Sequence, residues 1–220
     1  FVANGDMEMH TAGSLRNGQL VWALAKVHDG FELFNGDQVD SYLLFSNPHK
    51  YGWSIDVRFT PIRVVCNNTL TLSLNTSSKN FVKVSHRREF DADTVKETLG
   101  VAKEKLAKYK EMAQFLGSKR YTEKTLVEYF KNVFPVTGPG SDKKKEMSVS
   151  ASKALDVVHT QPGANFAEGS WWSAFNTVTY MVDHKLGRNQ DNRLTNAWFG
   201  NGKKVKADAL ETAIEYAQAA

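Results

Sequence analysis

The sequence predicts an α+β fold, an antiparallel β-meander followed by a long helix and a helical C-terminal part. Three observations predict it. Apolar residues in the first half recur with a period of two between Gly-, Asn- and Pro-containing turns. From Phe90 onward the apolar spacing changes to threes and fours, the period of helices. Connections between the successive strands are short, which suits antiparallel neighbours, and strands followed by helices argue against an alternating parallel sheet. At 220 residues, 41% hydrophobic and 24% charged, the chain has the composition of a globular domain with a substantial core. We read 1–220 as a single α+β domain, with a sheet-plus-long-helix core at 19–116 and a helical part at 117–220 that has a linker near 135–147.

The strands begin with Gln19–His28, which Asp29-Gly30 separates from Phe31–Phe34, with Asn35-Gly36 following. Asp-Gly and Asn-Gly mark turns because these residues tolerate positive φ. Val39–Ser46 is the next run, ended by Asn47-Pro48. Trp53, Ile55, Val57 and Phe59 then alternate with Ser54, Asp56, Arg58 and Thr60, giving one apolar and one polar face. Pro61 interrupts this ladder, since proline has no N–H to donate. Leu70, Leu72 and Leu74 alternate next, and Phe81, Val82 and Val84 form a last short strand.

Val95, Leu99, Ala102, Leu106, Tyr109, Ala113 and Leu116 make one stripe on a long helix capped by Asp91 and ended by Gly117. The stripe suits a helix lying on the sheet better than a coiled coil, because the seam holds two alanines and a tyrosine. Thr122–Phe134 is a shorter helix with Leu126, Val127, Phe130 and Val133 inward and Pro135 as its stop. Residues 136–145, rich in Gly, Pro and Lys, read as a loop, and three more helices are expected near 147–160, 170–185 and 203–219.

Bulk chemistry narrows the function. Net charge is +4, mildly basic, which favours an anionic partner. The single cysteine, Cys66, can make neither an internal disulfide nor a Cys-rich zinc site, which fits a reducing cytoplasm. No apolar run reaches the roughly 18–20 residues that cross a bilayer, so no membrane partner is expected. Because the chain starts at Phe1, an upstream segment of a longer gene product is expected. The six histidines are scattered, and neither a zinc-protease helix motif nor a phosphate-loop or dinucleotide glycine motif is present. Cys66 with His184 lacks the flanks of a thiol-protease nucleophile. Asp40 and Asp56 lack the acidic partner and lysine of a metal nuclease, and Asp183-His184 lacks a second ligand pair. No catalytic residue, metal or cofactor is assigned.

Two segments carry a family resemblance. They are Arg63-Val-Val-Cys-Asn-Asn-Thr-Leu70, and Trp171-Trp-Ser-Ala-Phe-Asn176 running on to Thr179-Tyr180-Met-Val-Asp183-His184, with Ala197-Trp198-Phe199-Gly200 downstream. Together they resemble the phage/plasmid-like proteins, whose domain has no assigned function. The resemblance implies a mobile-element setting, the cytoplasm of a phage or plasmid host, and little chemistry. The order of a meander followed by a long helix is also similar in architecture to phage single-strand annealing proteins.

The basic residues then point to DNA. Arg63, Asn67 and Asn68 suit phosphate and base edges, although the same residues serve equally as a turn with Arg63 paired to a carboxylate such as Asp56. Lys83, Arg87 and Arg88 around the last strand, with Arg58 on the alternating strand and Lys119 and Arg120 after the long helix, suit a phosphate track. Trp198, in an expected loop before Gly200, suits base stacking, whereas Trp172 and Phe175 read as core. The expectation is a non-catalytic DNA-binding protein for single-strand annealing or protection in recombination and replication, acting as a homo-oligomer because annealing needs a long strand path. The alternative is a protein-interaction or structural factor of a mobile element, using exposed aromatics of its C-terminal half.

Overall fold

A computed structural model of the chain describes residues 7–64, 68–69, 81–84, 106–136 and 146–220. The fold is α+β, and the chain divides into two compact units. One comprises Phe1–Glu32 and Gln38–Lys110, the other Leu33–Asp37 and Glu111–Ala220.

The first unit is built on a six-stranded sheet. Strands β1 (Met7–Leu15), β2 (Leu20–Glu32), β3 (Gln38–Pro48) and β4 (Ile55–Arg63) form the expected antiparallel meander. Two short strands, β5 (Asn68–Thr69) and β6 (Phe81–Val84), both pair with β4. One face of the sheet holds a cluster of Met7, Ala25, Val27, Leu43 and Val57, with Phe45 and Phe59 packed against it. Fully burying a side chain such as Leu43 stabilises by about 1.5–3 kcal/mol. The opposite face buries Leu20, Leu24, Tyr42 and Leu44.

Three expectations change here. The sequence showed no strand at β1, because only its end residues Met7 and Leu15 are buried. As an edge strand with one neighbour, it has no alternation to read. β2 does not turn at Asp29-Gly30. It continues to Glu32, and its register shifts between Val27 and Phe31, so the glycine serves a bulge. A Cβ on Gly30 would lie 3.0 Å from the Val39 carbonyl oxygen, so a larger residue would press on the β3 backbone. β4 also runs through Pro61, which opposes Ser41 on β3. On its other side Pro61 falls between the stretches that β5 and β6 pair, so the missing N–H costs no described ladder bond. The Leu70–Leu74 alternation lies outside the described residues.

Residues 106–118 are helical (α1) and bury Leu106, Tyr109, Ala113 and Leu116, the predicted stripe. The helix does not stop at Gly117. Within the helical unit, a Cβ there would enter the ring of Phe34, so the glycine permits close approach rather than termination.

The second unit continues with α2 (Glu123–Val133), α3 (Val149–Val157), α4 (Trp171–Tyr180), α5 (Gln190–Phe199) and α6 (Asn201–Gln218). Thr122 caps α2, with Thr125 returning the bond to the Thr122 N–H. Ser148, Ser170 and Asn189 cap α3, α4 and α5. α5 was not expected from sequence. Its interior carries Asn192, Thr195 and Asn196, poor helix formers, and it buries only Ala197 and Trp198. α4 passes into a π-helical turn at Met181–Lys185, inside which Asp183 bonds Lys206 at 2.8 Å, with both side chains nearly buried.

An aromatic cluster joins α2, α4 and α6. Tyr129 meets Trp171 edge-on at 5.5 Å and Tyr216 at 6.2 Å, and Trp171 lies 5.1 Å from Tyr216. The Tyr129 hydroxyl donates to the Ala209 carbonyl. Val127 and Val133, expected inward, are only half-buried, and Tyr129 takes the deeper position.

Burial pushes the Tyr129 phenol well above its usual range. Below about pH 10 the phenol is neutral in both the folded and the unfolded chain. Above that the unfolded chain ionises first, so stability falls as pH rises. Tyr129→Phe should cost about 1 kcal/mol at neutral pH through the lost hydrogen bond. It should also flatten the loss of stability above about pH 10, read from denaturant midpoints across that range.

Candidate functional site

The register of the sheet brings two turns to one end. Leu20 opposes Leu15 on one side and Pro48 on the other, and the His49 N–H donates to the Gln19 carbonyl at 2.8 Å. The β1–β2 turn, Arg16-Asn17-Gly18-Gln19, therefore adjoins the β3–β4 turn, His49-Lys50-Tyr51-Gly52-Trp53-Ser54. β6 also finishes at this end, with Val84 opposite Ile55.

Arg16, Asn17 and Gly18 follow one another at positive φ, which makes a tight reversal. In the second turn the Trp53 N–H donates to the Lys50 carbonyl, and Gly52 sits at φ +80°. Arg16, His49 and Lys50 are exposed. Tyr51 is 95% exposed and Trp53 48%. The Lys50 ammonium lies 5.5 Å from the centroid of the Trp53 ring, a cation–π contact that fixes the indole relative to the turn. Neither turn contains an acidic residue.

These residues were not singled out from sequence. The alternation places Trp53 on the inward face of the strand, but β4 begins two residues later at Ile55 and leaves the indole in the turn. The available signal was two aromatics flanking a glycine between strands, with His and Lys in front of them.

The residues that were singled out lie elsewhere. On β4, Asp56 and Arg58 share one face, and the Arg58 guanidinium grips Asp56, with Nε at 3.2 and 3.1 Å from the two carboxylate oxygens. Arg58 is thus a partnered charge, and the carboxylate expected for Arg63 is taken by Arg58. Arg63 projects on the other face, that of Val57 and Phe59, and is 1% exposed. Lys83 occupies the register position opposite Asp56. Asn68 lies in β5 opposite Arg63, and Asn67, Arg87 and Arg88 lie outside the described residues.

In the helical unit, the Arg120 guanidinium donates to the Glu168 carbonyl, and Arg120 bridges to Ser170. Lys119 sits 6.0 Å from the centroid of the Phe115 ring. Trp198, expected in a loop, lies in α5 and is 8% exposed, because α5 exists and packs against α6. Trp172 and Phe175 are wholly buried.

Asp40 is held by Lys26 at 2.6 Å, and that hydrogen bond raises the Lys26 pKa above its usual range. Asp40 opposes Ile62, toward the other end of β4 from Asp56, so the two carboxylates considered for a nuclease lie apart. Among the described residues no three His, Cys, Asp or Glu side chains gather to hold a metal, and no helix is long and apolar enough to cross a membrane.

Residues 1–198 match the family described as "Domain of unknown function (DUF932)". No curated protein and no solved structure matches the chain.

The turn geometry makes its own prediction. A Cβ on Gly52 would meet nothing within 4 Å, so replacement there tests backbone conformation alone. Gly52→Ala should lower stability by about 1 kcal/mol, and Gly52→Asn by less, since Asn tolerates positive φ. Chemical denaturation of the two variants measures the difference.

Proposed function

The chain belongs to the DUF932 family, whose domain carries no assigned function, and from that premise we propose that it is a non-catalytic nucleic-acid-binding protein of a mobile genetic element. Single-stranded DNA is the favoured partner, bound for annealing or protection in recombination and replication. The observation that carries this reading is the pair of adjoining turns, which hold exposed cations and exposed aromatic rings and no acidic residue. Cations beside flat rings are what a single strand asks for, since phosphates take the charge and bases take the rings.

Much of the remaining described cationic charge near the sheet is already partnered. Asp56 takes Arg58 and Asp40 takes Lys26, whereas Arg16 and Lys50 are exposed in the turns. Annealing needs a strand path longer than two turns provide, so self-assembly of the chain belongs to the proposal. The rival reading, a protein-interaction factor, relied on exposed aromatics in the C-terminal half. Trp171, Trp172, Phe175 and Trp198 are buried, and Tyr180 and Phe199 are half-buried, which weakens that support.

A gel-shift assay with single-stranded oligonucleotides should show a complex at low salt. Its affinity should fall roughly tenfold or more between about 50 and about 200 mM salt. Undetectable binding at low salt would remove the proposal.

A further inference from the structure

We propose that the β3–β4 turn is a base-stacking site in which Tyr51 and Trp53 each take an unpaired nucleobase. The inference rests on the nucleic-acid reading above and assigns it to particular rings.

Geometry carries it. Tyr51 projects almost its whole side chain into solvent, where the ring contributes nothing to the core and is open to a ligand. Trp53 is half exposed two residues away. The two are separated by Gly52 in the left-handed region and enclosed by the bond from the Trp53 N–H to the Lys50 carbonyl. The rings are thus mounted on a closed turn rather than on a loose loop, which lowers the entropy lost when a ligand stacks on them.

Lys50 covers one face of the Trp53 indole from 5.5 Å, and the exposed remainder of the ring is open to a base. A base stacked there brings its phosphate toward the Lys50 ammonium. Arg16, exposed in the adjoining turn, extends the positive surround, and His49 adds an exposed imidazole in the same turn. A stable protein partner would bury roughly 800 Å² of total surface on each side, which needs a contact well beyond this one turn. In a duplex the base faces are hidden within the stack, so ring stacking selects unpaired strands.

The test uses the full chain with two labelled probes, an oligothymidylate of about 20 nucleotides and a duplex of the same length. The wild type should prefer the single strand. Tyr51→Ala and Trp53→Ala should each weaken oligothymidylate binding by about tenfold or more, and Trp53→Phe should keep most of it. Duplex binding and the slope of affinity against salt should change little, because the phosphate contacts persist. Thermal melting of Tyr51→Ala should match the wild type, since that ring stands in solvent, and Trp53→Phe should separate loss of binding from any loss of stability in Trp53→Ala, whose ring is half-buried.

Alanine variants that bind oligothymidylate as the wild type does would overturn the stacking site and leave the nucleic-acid reading intact. Equal losses on single strand and duplex would overturn it as well. If the wild type binds neither probe at low salt, the nucleic-acid reading fails, and the stacking site with it.

Discussion

The pairing register of β3 is the constraint on which the rest of the account depends. With Leu20 opposite Pro48 and Asp56 opposite Ser46, both hairpins that flank the central strand reverse at the same end of the sheet. A slip of one residue would turn Leu43 and Val57 out of the core and move every side chain to the other face. The buried cluster therefore holds the register, and the register places Arg16, His49, Lys50, Tyr51 and Trp53 on one surface. None of these five needs to contribute to stability for the site to persist.

Charge is distributed in the same spirit. Arg58 and Lys26 lie along the strands and are matched by Asp56 and Asp40, while Lys206 is buried against Asp183 in the helical unit. A buried ion pair contributes little net stability once desolvation is counted, but losing one partner would be costly. Such pairs fix positions within each unit. The acid-free turns differ, because their cations face solvent with aromatic rings beside them. That contrast within the first unit is what directs attention to the turns and away from the strand arginines.

The α+β class and the antiparallel meander were legible because β4 alternates apolar Ile55, Val57 and Phe59 with polar residues and turn residues separate it from the apolar run of β3, and the helices because Tyr109, Ala113 and Leu116 recur by threes and fours. What was not legible lacked a burial pattern. β1 is an exposed edge, α5 buries two residues, and Gly30 and Gly117 act through close approach to groups distant in sequence. The candidate site was missed for a related reason. Trp53 fitted the alternation of Ile55, Val57 and Phe59, and periodicity cannot tell where a strand starts. Arg63 was misplaced in the opposite way. A charged residue at the end of a strand reads as exposed, yet its parity with Val57 and Phe59 puts it on the core face, where it is buried.

The chain has five tryptophans, of which Trp171, Trp172 and Trp198 are buried and Trp53 stands at the turn. Their indole N–H resonances can be followed by two-dimensional NMR while oligothymidylate is added. The account predicts that the Trp53 resonance shifts first and furthest, with those of Trp171, Trp172 and Trp198 unmoved. A titration in which the oligonucleotide binds while the Trp53 resonance stays in place would contradict it.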